Sequence, residues 1–193
     1  MKVNLKRIIG PWAVGWALDK HMLRSTYVGD DANGRPKFDS LRSEAGEAIF
    51  LLKYRSDWSQ ASRLADAIAT NICANLDHVG FIVPMPASTP RPRQPVAEIA
   101  RALSKVINRP VFENLLLKAP TNQRLKDLHG KQEKVAALGN SFSIHDEIRA
   151  QGAWNVLLVD DLYDSGASME AAATALSTYP KVRNVYVTAC TWK

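Results

Sequence analysis

Cysteine is scarce in this 193-residue sequence, which holds only Cys73 and Cys190, each in an apolar segment. Such a pair speaks for two buried thiols of a cytosolic protein over a disulfide framework. Long hydrophobic runs are lacking too. Stretches such as Ile49–Leu52 and Val156–Val159 fall far short of a bilayer span. No apolar stretch follows Lys2, Lys6 and Arg7, so no signal peptide is read and a cytoplasmic location without membrane contact is expected. Zinc-ligand spacing is also missing, since His21, His78, His129 and His145 are scattered away from the cysteines. Neither an internal repeat nor a low-complexity tract is visible.

What is present fits one domain with a core of its own. Hydrophobic residues make up 46% and charged residues 23% of the chain, the ordinary balance of a globular protein. The net charge of +6 suits a phosphorylated small molecule, a nucleic acid, or no specific partner. Its placement is more telling. Arg91, Arg93, Arg101, Lys105 and Arg109 form one cluster, and Lys118, Arg124, Lys126, Lys131 and Lys134 form another. For most of them a solvated basic face is the plainer reading.

Strand and helix signals alternate. Trp12–Leu18 and Leu23–Val28 resemble two strands joined around Asp19–Met22, and Gly29–Pro36 has turn chemistry. Ser43 caps a helix over Glu44–Arg55, and Ser59 or Ser62 starts another in which Leu64, Ile68, Ile72 and Leu76 recur every fourth residue. Phe81–Val83 is a short strand. The five prolines of Pro84–Pro95 then impose a loop of restricted shape. Val96–Val106 reads as a helix, Pro110–Phe112 begins a short strand, and Pro120–Asn140 reads as a loop, a helix or part of each. Trp154–Asp160 is a buried strand, Gly166–Leu176 a helix and Asn184–Thr191 a final strand. The expected class is α/β, with a mainly parallel sheet flanked by helices. The expected division is an N-terminal hood-like part, residues 1–58, and a core, residues 59–193.

The most informative segment is Val156–Ser168, VLLVDDLYDSGAS. An apolar strand ends at Val159, two acids follow, and a loop of small and hydroxyl residues enters a helix. In an open α/β sheet, ligands bind beyond the carboxyl ends of the strands. A loop entering a helix there presents unpaired N–H groups to an anion. Gly166 lets the backbone approach closely, and Ser165 and Ser168 can donate hydroxyls. Asp160 and Asp161 can accept hydrogen bonds from vicinal sugar hydroxyls. An ordinary strand-to-helix turn with a capping residue is the plainer alternative.

This segment resembles the signature of the type I phosphoribosyltransferases. The resemblance implies that Asp160 and Asp161 hold the ribose hydroxyls and that Asp164, Ser165, Gly166, Ala167 and Ser168 wrap the 5-phosphate. Tyr163 departs from the small aliphatic residue common at its position. Asp164 is either an acid/base group near the acceptor or a turn and capping aspartate. A broader resemblance is to the ComF-like, competence-associated branch, carried by Leu41–Tyr54, Phe81–Pro95 and Gln123–Leu125. Many members of that branch have a cysteine-rich zinc module at the N-terminus. Here an apparent hairpin, Trp12–Val28, stands in its place.

By the same resemblance, Pro84–Pro95 is a pyrophosphate loop. Its Ser88 and Thr89 would donate hydroxyls, and its Arg91 and Arg93 would grip phosphate oxygens. The loop can equally be a rigid surface turn with solvated arginines. Lys53 reaches the phosphates or is a snorkelling lysine at a helix end. Asn122–Lys134 takes the place of a flexible catalytic loop, with Lys126, Lys131 and Lys134 as candidate phosphate contacts. The implied reaction transfers ribose 5-phosphate from phosphoribosyl pyrophosphate to a nitrogenous acceptor and releases pyrophosphate. Magnesium would bridge pyrophosphate and ribose oxygens, assisted by Asp160 or Asp161, through water if not directly. Dimers are common in the family, so a homodimer is compatible with the resemblance. Two alternatives stand beside the enzyme. One is a non-catalytic sensor of phosphoribosyl pyrophosphate or a nucleotide. The other is an accessory protein handling single-stranded DNA, with Trp12, Trp16 and Trp58 as stacking surfaces.

Overall fold

In the computed structural model, residues 1–89, 91–119 and 141–193 are described. Gln123–Leu125 and the candidate catalytic loop Asn122–Lys134, with Lys126, Lys131 and Lys134, lie outside the described residues. The central sheet has five strands: β1 (Lys6–Arg7), β2 (Val14–Lys20), β5 (Val79–Pro84), β8 (Trp154–Tyr163) and β9 (Val182–Trp192). Their order is β1-β2-β9-β8-β5. β1 runs antiparallel to β2, and the other pairings are parallel. Beyond β5, Val111 makes a parallel bridge to Ile82. Helices α1 (Glu44–Tyr54), α2 (Ser59–Asn71) and α3 (Pro95–Ile107) pack into one hydrophobic core, and α4 (Ala167–Ser177) into another. The α/β class expected from the alternating signals is what the chain adopts.

The unbroken apolar run at the start of β8 follows from this sandwiching. Val156 and Leu158 enter the core that holds α4, whereas Leu157 and Val159 enter the core that holds the other three helices. All four have 0% exposure. Burying each contributes roughly 1.5–3 kcal/mol before entropy is counted. Leu64 and Ile68 of α2, with Ile99 and Leu103 of α3, fill the second core against Ile82. Ser43 caps α1 as its position suggests, accepting from the Gly46 amide at 3.0 Å and donating to the Lys20 carbonyl at 2.5 Å.

The N-terminal hairpin forms elsewhere than expected. Trp12–Val28 is not a hairpin: β2 pairs in parallel with β9, Val14 opposite Tyr186 and Lys20 opposite Trp192. The hairpin is made by β3 (Met22–Asp30) and β4 (Pro36–Arg42), paired antiparallel. His21 is the single residue between β2 and β3, too few for the usual two-residue hairpin turn. The glycine-rich segment supplies the turn instead, with Gly29 at φ +100° and Gly34 at φ +72°. A second small ribbon pairs β6 (Leu116–Lys118) with β7 (Phe142–Ile144).

Candidate functional site

β5 ends at Pro84 opposite Val159 of parallel β8, and the Met85 amide donates to the Val159 carbonyl at 2.8 Å. A cavity of about 500 Å³ opens beyond the carboxyl end of β5, beside the last residues of β8. Separate stretches supply its polar walls: Lys53 from α1, Ser88, Thr89 and Arg91 from the proline-rich loop, Glu113 and Asn114 before β6, and Asp160, Asp161 and Ser168 from β8 and the start of α4. Lys118, on β6, closes the same space.

β8 does not stop at Val159 as the sequence suggests. It continues to Tyr163, with Asp160 opposite Ala189, Leu162 opposite Thr191 and Tyr163 opposite Trp192 of β9. Both acids are thus held by a sheet ladder, a stiffer mount than a loop. Burial among protein atoms and, after it, the neighbouring Asp161 charge raise the Asp160 pKa to about 8, against the pull of the Asp161 amide, Lys53 and Lys118. The Asp161 amide donates to Asp160 Oδ1 at 2.8 Å. Asp161 Oδ2 is paired with Lys53 Nζ at 2.5 Å.

Of the remaining loop, only part reaches the cavity. Ser168, in the first turn of α4, lines it, whereas Asp164, Ser165, Gly166 and Ala167 do not appear in its wall. Asp164 is exposed, Ser165 is half-buried, and Gly166 and Ala167 are buried. Gly166 has φ +81°, which a residue with a side chain rarely adopts. A β-carbon there would meet the Tyr163 hydroxyl at 2.7 Å and its ring at 2.9 Å. The small residue is therefore needed as much for the tyrosine as for any ligand.

The second basic cluster holds a residue the sequence reading passed over. Lys118 is not on a solvated face: its ammonium donates to Ser88 Oγ at 2.8 Å, and burial lowers its pKa while Asp160 opposes the shift. The available signal was its place just before the Pro120–Asn140 stretch. Arg91 donates to the Lys53 carbonyl at 3.3 Å, which ties the proline-rich loop to the last turn of α1. Arg93 turns elsewhere, pairing with Glu98 at 2.8 Å and stacking 4.2 Å from the Trp58 ring. Trp12 and Trp16 pack against the two cores. Cys73 and Cys190 are free thiols, half-buried and buried respectively.

Among the described residues, no group of three or more histidine, cysteine or acidic side chains could cage a metal ion. Two adjacent carboxylates on an open cavity instead fit magnesium, which typically takes one or two carboxylates together with substrate phosphates. No described helix is long and apolar enough to cross a membrane.

No family model matches the sequence, and no curated protein matches it. Solved structures do resemble the fold. The adenine phosphoribosyltransferase of Trypanosoma brucei, solved with AMP, pyrophosphate and ribose-5-phosphate, aligns at TM-score 0.51 and 10% identity over 98% of this chain and 74% of that one. The adenine phosphoribosyltransferase of Thermoanaerobacter pseudethanolicus aligns at TM-score 0.47 and 12% identity over 89% and 96%. That of Leishmania tarentolae aligns at TM-score 0.43 and 11% identity over 98% and 95%. The chain is thus built on a fold shared with a phosphoribosyltransferase, a mainly parallel sheet between helices.

Proposed function

We propose that this protein binds phosphoribosyl pyrophosphate with magnesium and transfers its ribose 5-phosphate group to a nitrogenous acceptor, releasing pyrophosphate. The observation that carries this reading is the cavity at the ends of β5 and β8, where Asp160 and Asp161 face Lys53, Arg91 and Lys118. One wall offers acceptors for sugar hydroxyls, and the other offers cations for a leaving group whose charge grows as the C1 bond breaks. Asp160 and Asp161 accept from the ribose 2′ and 3′ hydroxyls. The Ser168 hydroxyl and the first amides of α4 hold the 5-phosphate. Lys53, Arg91 and Lys118, with the Ser88 hydroxyl, receive the pyrophosphate. Magnesium, held on the Asp160–Asp161 side, would neutralise pyrophosphate charge. The protein is asked for placement and charge compensation, with little covalent work of its own.

The ComF-like branch remains part of the proposal through Leu41–Tyr54 and Phe81–Pro95. Their counterparts in the structure, α1 with Lys53 and the loop with Ser88 and Arg91, meet at the cavity. The sensor reading gains from one observation: Asp164, the candidate acid/base group, is exposed and outside the cavity wall. Calorimetry with phosphoribosyl pyrophosphate and magnesium tests the site. Wild type should bind, and Asp160→Asn/Asp161→Asn should bind at least about ten-fold more weakly. Equal binding by both proteins would refute the ribose role of the acids. Pyrophosphate release across a panel of purines, pyrimidines and amines separates enzyme from sensor.

A further inference from the structure

The cation paired with the acids and the arginine beside it are already engaged with the protein itself. Lys53 Nζ stands 2.5 Å from Asp161 Oδ2, with the lysine side chain 24% and the aspartate side chain 14% exposed. Arg91 rests on the carbonyl of that same Lys53. An ammonium at contact distance and shielded on most of its surface is a stronger partner than an exposed lysine. The position it holds, against a carboxylate oxygen and beside a second carboxylate, is also where a hard divalent cation would settle. With no resident cation, Asp161 and its neighbour Asp160 would be open to a hard divalent cation from solution before any ligand arrived.

We propose that Lys53 is the resident counter-ion of the Asp160–Asp161 pair, excluding free divalent metal and yielding Asp161 only to a ligand that brings pyrophosphate. This rests on the ribose and pyrophosphate assignment above. The exchange conserves charge contacts. The arriving pyrophosphate offers anionic oxygens to the Lys53 ammonium and the Arg91 guanidinium, and metal bound to those oxygens replaces the ammonium at Asp161. Lys53 is thus a positioning residue for the metal as well as a contact for the anion. The flexible four-carbon stem of a lysine lets the ammonium swing between the two partners without moving α1. Metal and pyrophosphate then bind with positive cooperativity, since each supplies the partner that the other displaces.

Manganese, counted by its electron paramagnetic resonance signal, replaces magnesium as the probe, so the readout is independent of turnover. With wild type, Mn²⁺ alone should bind weakly, and added pyrophosphate should tighten it at least about ten-fold beyond what pyrophosphate does in free solution. With Lys53→Met, Mn²⁺ alone should bind at least about ten-fold more tightly than to wild type, because the competing cation is gone. Lys53→Gln, which keeps a polar tip, should behave in the same direction and guards against a folding defect in the first variant. Wild type that binds Mn²⁺ alone as tightly as both variants do would overturn the proposal while leaving the ribose–pyrophosphate reading intact. Failure of wild type to bind phosphoribosyl pyrophosphate in the same buffer would overturn that reading itself. Tight Mn²⁺ binding to Lys53→Met that disappears in Lys53→Met/Asp161→Asn would fix the metal position at Asp161.

Discussion

Asp160→Asn keeps the shape of the side chain and removes its capacity to ionise, and the pH dependence of this exchange can be worked out in sign. The Asp160 carboxyl has an ordinary value of 3.8 and is raised to about 8 in the folded chain, chiefly by desolvation and then by Asp161. Between those values the folded state holds a proton that the unfolded state has lost. Stability therefore falls as pH rises through this window and levels off above it. The slope is limited to about 1.4 kcal/mol per pH unit. Water entry softens the cost of a buried charge, so about 3 kcal/mol is the reasonable scale. Urea unfolding of wild type and variant at a series of pH values reads this effect, because the titrating groups away from the acid pair are common to both. The two should have similar stability near pH 4. At pH 8 to 9 the variant should lead by about 3 kcal/mol, a midpoint shift of about 1–1.5 M for a chain of this size. Ligand binding gives the converse. At pH 7 the free protein carries the proton, and gripping sugar hydroxyls or metal as a carboxylate expels it. Calorimetry in buffers of different ionisation enthalpy should show release of up to about one proton per site from wild type and less from the variant. Stability curves that run parallel from pH 4 to pH 9 would refute the reasoning.

Two further perturbations address the loop and the lysine that closes the cavity. Gly166→Val places a branched side chain at φ +81° and against the Tyr163 ring, so it should cost about 2–4 kcal/mol of unfolding free energy by urea titration. Tyr163→Ala in the same chain should recover the contact part and leave the backbone strain, and a neutral Gly166→Val would contradict the observed geometry. Lys118→Met keeps the length and apolar stem of a half-buried ammonium and removes its hydrogen bond to Ser88. It should weaken phosphoribosyl pyrophosphate binding about ten- to a hundred-fold by calorimetry with thermal stability nearly unchanged, as expected for a charge-assisted contact made to the ligand. Unaltered affinity would remove Lys118 from the anion wall.

Local chemistry was legible from the sequence, and partner choice was not. The four residues Val156–Val159 announced a strand covered on both faces, because only such a strand tolerates apolar side chains pointing both ways. Ser43 announced its helix by capping chemistry that needs no distant partner. β2, in contrast, names no partner in its own sequence: it takes β1 on one side and, on the other, β9, more than 160 residues away. Alternation records that a strand exists and says nothing of what it hydrogen-bonds. The extension of β8 to Tyr163 was hidden for a related reason. Asp160 and Asp161 look like the end of a strand by propensity, yet the ladder with β9 carries β8 on to Tyr163, opposite Trp192.

The same distinction explains the cations. Sequence reading weighs each lysine or arginine as exposed unless something nearby says otherwise, and that rule failed for Lys118 and held little for Lys53. Their acceptors, Ser88 and Asp161, lie on segments far away in the chain. Arg91 likewise finds a main-chain carbonyl in α1. Each cation of the cavity wall is therefore satisfied before any ligand arrives, which avoids the cost of partly buried charges left unpaired. A phosphorylated ligand must then exchange partners with the protein, and its affinity measures the difference between two sets of contacts. Binding should accordingly be less tight than three cations would suggest. It should also be selective for ligands that satisfy both walls at once, since an anion that takes the lysines without offering hydroxyls or metal to the acids leaves Asp161 without its ammonium partner.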